Sequence, residues 1–300
     1  MKKVLLSLLL IVAGLPLMAQ SDVNMEIKQF ESEIKTNETS TREYYADLPA
    51  RMTKVVLAGD NSMADLLLKD AIEKGWNISP FEFCDYEEFE RIKCDTNYYF
   101  LMRINVEAKV EGGTGMEFVT FVKGDEKASE GIDKMPELIS LPMFDVNDKS
   151  GRVFSYMPAY VNIIQNYIQK IVDGRIYPAL RLTIITNPIE SATDKTILFA
   201  KDDIAYEYTD KDIDRFGGMA KVVSLDDIDD ALTDGEQGTL VSLVVAPAEP
   251  VNGSSCYKML ISSDTYELYY YRRHRISKSN GVGFIKEDLR RLSTPYRIKK

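Results

Sequence analysis

Four apolar runs recur along this chain in one order and at nearly one spacing. Val55-Val-Leu-Ala-Gly59 pairs with Thr196-Ile-Leu-Phe-Ala200, Pro80-Phe-Glu-Phe83 with Lys221-Val-Val-Ser224, Tyr98-Tyr-Phe-Leu-Met102 with Leu240-Val-Ser-Leu-Val244, and Met116-Glu-Phe-Val-Thr-Phe121 with Tyr257-Lys-Met-Leu-Ile-Ser262. Counted from their first residues, the pairs lie 141, 141, 142 and 141 residues apart. A pattern held at a fixed period builds the same supersecondary unit twice, and this limits the fold more than any composition does.

The segments between the runs agree. After the first run, Asp65, Leu66, Leu67, Ala71 and Ile72 include the spacing of a helical stripe, and Thr209-Asp-Lys-Asp-Ile-Asp214 opens a shorter helix in the second copy. Tyr86–Ile92 and Asp226–Leu232 each predict a short helix with an acidic first turn, which suits the unpaired N–H groups and dipole of a helix start. Third and fourth runs are joined by Glu111-Gly-Gly-Thr-Gly115 and Asn252-Gly-Ser-Ser255. A further strand and helix close each copy: Glu137–Leu141 before an apolar face of Tyr160, Ile163, Ile164, Tyr167, Ile168 and Ile171, and Thr265–Tyr271 before Phe284–Leu292. The class is therefore α/β, a tandem repeat of two β-α-β-α-β-β(-β-α) units. Their sheets are mixed, with three strands parallel through crossovers and the last ones antiparallel at one edge.

The first twenty residues, MKKVLLSLLLIVAGLPLMAQ, have the charged, apolar, small-residue order of a secretory signal, with cleavage expected after Ala19. The apolar run from Val4 to Val12 is shorter than the roughly 20 residues a spanning helix needs, so an exported, soluble, periplasmic or extracellular protein is expected. The division expected is 1–19 signal, 20–48 a helical and polar segment, 49–178 the first unit and 179–300 the second, with Leu180-Arg-Leu-Thr-Ile-Ile185 as a connecting strand. A net charge of −10 argues against nucleic acid and anionic membrane as partners. Three cysteines, Cys84, Cys94 and Cys256, are no disulfide framework, and only Cys84 and Cys94 are close in sequence.

Gly59-Asp-Asn-Ser62 follows a strand-like run and resembles the block on which SGNH hydrolases present their nucleophile, with Asn61 intervening before the serine. Those enzymes pair the serine with an Asp-x-x-His, whereas the sole histidine, His274, follows Tyr271, Arg272 and Arg273. A serine without its base is a poor nucleophile. Gly59 is therefore expected to serve a turn, and Asp60 or Ser62 a helix cap. Phosphate-loop patterns are missing. Asp210-Lys-Asp-Ile-Asp214 begins like a calcium loop but has Arg215 and Lys221 where that loop needs Gly and Glu. No catalytic residue, metal ligand or cofactor is expected.

Tyr266–Arg275, YELYYYRRHR, is the most unusual stretch. Strict alternation would put Tyr269 and Tyr271 on one side of a strand, beside Arg272, Arg273 and Arg275, an aromatic and cationic set suited to a partner protein or glycan. The Ala-Gln junction of the leader and the style of the mature chain resemble uncharacterised exported proteins of Bacteroidetes, which implies a cell-envelope address and no residue roles. The expectation is a non-enzymatic envelope binding protein. The alternative is a carbohydrate-active hydrolase with its site at the carboxyl ends of the parallel strands or between the units.

Overall fold

The computed structural model describes residues 45–59, 62–106, 115–145, 151–174 and 186–298. The expected signal, most of the segment up to residue 48, Asp60, nearly all of the Glu111–Gly115 turn and the expected strand at 180–185 lie outside the described residues. Among the described residues no helix is long and apolar enough to cross a membrane.

Two five-stranded sheets share one plan. The first comprises β1 (Met52–Val56), β2 (Phe81–Cys84), β3 (Tyr98–Val106), β4 (Met116–Lys123) and β5 (Glu137–Asp145), in the spatial order β2-β1-β3-β4-β5. The second comprises β6 (Thr196–Ala200), β7 (Ala220–Val223), β8 (Thr239–Val245), β9 (Ser255–Ser262) and β10 (Leu268–Arg275), in the order β7-β6-β8-β9-β10. In each, the first strand pairs in parallel with the second and third, and the last two strands add antiparallel. The helices are α1 (Met63–Gly75), α2 (Tyr86–Ile92), α3 (Met157–Val172), α4 (Asp210–Asp214), α5 (Leu225–Thr233) and α6 (Lys286–Ile298). The tandem α/β plan thus follows the sequence pattern, and local signals account for it. For example, Ser224 and Asp227 form a reciprocal capping box that starts α5 where its first N–H groups need partners.

The constant spacing does not survive in detail. Corresponding strand starts lie 144 residues apart for β1 and β6, and 131 apart for β5 and β10. The first unit has 13 residues in α1 where the second has 5 in α4. It also has a long 124–136 connection where the second has a tight turn at 263–267. Strand β1 ends at Val56, so Leu57–Gly59, expected within it, lie past its end, although Leu57 N still donates to Cys84 O of β2 at 2.9 Å. In α1 the buried stripe is Ala64, Asp65, Leu68, Ala71 and Ile72, whereas Leu66 is exposed.

One apolar cluster joins the units. It runs from Val55, Tyr99, Leu101 and Phe121 through α1 and α3 to Val241, Leu243, Met259 and Ile261 of the second sheet. Helix α3 is buried over most of its circumference, as a helix packed on two sides must be. In the first sheet this inner face carries the first crossover helix and the closing helix, α1 and α3. In the second sheet the corresponding face, with α4 and α6, points outward around Phe199, Phe216, Leu260 and Leu292, and the opposite face, with α5, meets α3. The units therefore stack front to back. The first sheet's remaining face is covered by α2 and by the 124–136 connection, with Phe89, Ala128 and Met135 packed on Phe100, Met102 and Val122.

Charged groups lock the junction. Pairing of β6 with β8 stops at Leu198–Val241, and beyond it the Ser242 hydroxyl accepts from Ala200 N at 2.9 Å and donates to Asp203 at 2.5 Å. From the first unit, Arg152 donates to both Asp203 oxygens at 2.6 and 2.8 Å and to the Ser242 carbonyl at 2.7 Å. Tyr156 donates to the same carbonyl at 2.7 Å. The three cysteines are free thiols, Cys84 and Cys94 both lying against the outer cluster of the first sheet.

Candidate functional site

Strand β10 lies at an edge of the second sheet, and its first residues decide what the tyrosine and arginine stretch presents. The 263–267 turn holds Tyr266 at φ 54°, a conformation unfavourable for a bulky side chain. The pairing with β9 then slips between Leu268 and Tyr270. One extra residue in a strand reverses the side on which all later side chains emerge.

Tyr269 and Tyr271 are consequently not partners on one face. Tyr269 is buried in the cluster beneath α6, and its hydroxyl donates to Glu267 at 3.2 Å. Tyr271 lies on the junction side, half-buried, with its ring centroid 6.3 Å from that of Tyr257. Tyr257 in turn meets Phe118 of the first sheet edge to face at 6.0 Å. The expected shared face fails because period-two alternation has no means of anticipating a bulge.

The arginines divide likewise. Arg272 turns under α6 and donates to Asp288 at 2.8 Å and Glu287 at 3.3 Å. Arg273 and Arg275 are exposed on the Tyr271 side, Arg275 donating to Gly253 O and Ser255 Oγ, both at 2.9 Å. The structure thus gathers Tyr271, Arg273 and Arg275 at the corner where the two sheets meet, and withdraws Tyr269 and Arg272 into the second unit. Phe118 and Tyr257 belong to the same aromatic row and were missed. Their contact spans both units, and no local pattern reports it.

Two other constellations invite a chemical reading. His274 lies directly across from Cys256 on β9. The thiol is wholly buried, accepts from Gly283 N at 3.2 Å, and is pushed up to about 11 by burial. Burial also holds the imidazole below its ordinary value, and its Nε2 sits 2.9 Å from Gly281 O. A shielded, protonated thiol is an inert one.

At the turn before α1, Gly59 takes φ 78° and Ser62 caps the helix by accepting from Asp65 N at 3.3 Å. The serine hydroxyl also accepts from Arg103 at 3.3 Å, and that guanidinium bonds Asp65 at 2.6 Å and Glu117 at 2.5 Å. Turn and cap are the roles expected of Gly59 and Ser62; Asp60 lies outside the described residues. Among the described residues no group of three or more His, Cys, Asp or Glu is placed to hold a metal ion. No family model matches the chain, and neither the curated proteins nor the solved structures contain a match to it.

Proposed function

We propose that this chain is an exported, non-enzymatic binding protein of the cell envelope, and that an envelope protein docks on the corner of Tyr271, Arg273 and Arg275. The leader sequence and its likeness to exported Bacteroidetes proteins support the address. One observation carries the surface: a half-buried tyrosine ends a row of packed rings and is flanked on its own face by two exposed arginines. Rigid aromatic area beside guanidinium groups is the composition enriched at protein interface cores. A phosphate-like or nucleic-acid partner fits less well, because the chain as a whole is acidic.

The test is a photo-crosslinking side chain placed at Arg273 in cells, with the same group at exposed Lys74 on α1 as control. A discrete adduct at 273 alone is expected; no adduct, or equal adducts at both positions, rejects the surface. Replacing Arg273 and Arg275 together by Ala should weaken the captured complex by about 2 kcal/mol or more and leave stability within about 0.5 kcal/mol. N-terminal sequencing of the periplasmic fraction tests export, with Gln20 as the expected first residue.

A further inference from the structure

The second unit has a recess that the docking corner does not use. It opens just past the carboxyl end of β6 and is lined by Lys201, Asp202, Ile204, Tyr206, Glu207 and Tyr208, with a volume of about 520 Å³. Strand β6 lies between β7 and β8, and the crossover helices that follow β6 and β7 pack on opposite faces of the sheet. That is the place where open α/β sheets take ligands, and the volume lies in the range of small-molecule sites.

The lining has a definite chemistry. Tyr206 and Tyr208 are half-buried and, with Ile204, supply apolar faces, while Lys201, Asp202 and Glu207 are exposed at the recess. The Tyr206 hydroxyl is shielded from solvent and has no hydrogen-bond partner. Buried hydroxyls are ordinarily paired, because an unpaired one forfeits its hydration for nothing. Burial, with Asp212 nearby, raises this phenol to about 12, so at neutral pH it keeps its proton and stays a donor. Lys286 stands over the Tyr206 ring at 5.2 Å.

We infer that this recess is a binding site for a neutral saccharide. Sugar C–H faces pack on the tyrosine rings, and sugar hydroxyls donate to Asp202 and Glu207 and accept from Lys201, while the shielded Tyr206 hydroxyl takes no part. The two lining carboxylates are balanced by Lys201 and by the Lys286 ammonium over the Tyr206 ring, so the recess has no cationic excess to hold a phosphate, sulfate or uronate; its rings are too few and its rim too polar for a lipid chain.

The experiment uses the full chain on an array of neutral gluco-, manno-, xylo- and galacto-oligosaccharides printed beside their sulfated and uronic-acid counterparts, with Tyr208→Ala and Tyr206→Phe in parallel. Capture of neutral oligosaccharides is expected. It should be lost in Tyr208→Ala and kept in Tyr206→Phe, which removes a hydroxyl that the recess does not expose and keeps the ring. Removing an unpaired hydroxyl should leave Tm unchanged or raise it. No capture, capture of the acidic sugars only, or capture indifferent to Tyr208→Ala overturns the site.

Discussion

The Lys258 ammonium and the Asp288 carboxylate meet at 2.5 Å between β9 and α6, both side chains wholly buried. Asp288 also accepts from Tyr270 at 2.7 Å, Arg272 at 2.8 Å and Ile285 N at 2.9 Å, so one carboxylate organises the whole underside of α6. Replacing it by Ala should cost about 3–5 kcal/mol, because it strands a buried cation. Replacing Lys258 by Met should cost less, since Asp288 keeps three donors. Urea titration of both variants checks the asymmetry; equal losses would mean that the other three donors contribute nothing.

The same carboxylate gives an acid dependence. Burial pushes the Asp288 carboxyl up, but the hydrogen bond and charge of Lys258, with the Tyr270 and Ile285 donors, outweigh it and leave it below its usual 3.8. A depressed carboxylate contributes stability above the unfolded value and loses it as pH falls through the folded one. Stability should therefore decline below about pH 4, and Asp288→Asn should flatten that decline. Urea midpoints measured across the acid range decide it, and an identical slope in the variant would assign the acid loss to other groups.

Arg152 is the second sensitive point. Its side chain is 13% exposed and its partner Asp203 3%, so Arg152→Leu leaves a carboxylate buried at the unit junction with only the Ser242 hydroxyl. A loss of about 3–5 kcal/mol is expected. Because one apolar cluster spans both sheets, the parent should unfold in a single transition, with fluorescence and far-ultraviolet dichroism coincident. Two separate transitions in the parent would show that the units are energetically independent.

Ser62 tests the turn before α1. Ser62→Ala removes a cap and one of three contacts to Arg103, and about 0.5–2 kcal/mol of stability should go with it. Esterase assays on both forms complete the test: an activity of the parent that vanishes in the variant would make Ser62 a nucleophile after all.

What could be read from the sequence was what neighbouring residues decide. Tyr86–Ile92 was readable to the residue because its acidic first turn and Asp85 cap are local. Parallel and antiparallel pairing followed from the length of each connection. The start of β1 was misjudged by three residues, since Met52-Thr-Lys looks less apolar than Leu57-Ala-Gly while pairing with β2 and β3 satisfies its backbone. The Lys258–Asp288, Arg103–Asp65 and Arg152–Asp203 pairs join residues 30, 38 and 51 positions apart, and a single sequence holds no record of such meetings. The slip at Tyr269 was hidden for a different reason: it depends on how a turn and a neighbouring strand fit, and the strand's own residues do not announce it.

Front-to-back stacking has an implication for assembly. A contact between unlike faces does not close on itself, so a unit that offers a front and a back can in principle accept another at either end and grow into a filament. Here both growth points are plugged. Residues 126–135 lie over the free back of the first unit, and α6, seated on the sheet through Asp288, Leu289, Leu292 and Tyr296 and rich in Arg outside, lies over the free front of the second. The 124–136 connection, absent from the second unit because α3 already occupies the equivalent position there, works as a chain terminator in the polymer chemist's sense, as end caps do in stacked-repeat proteins.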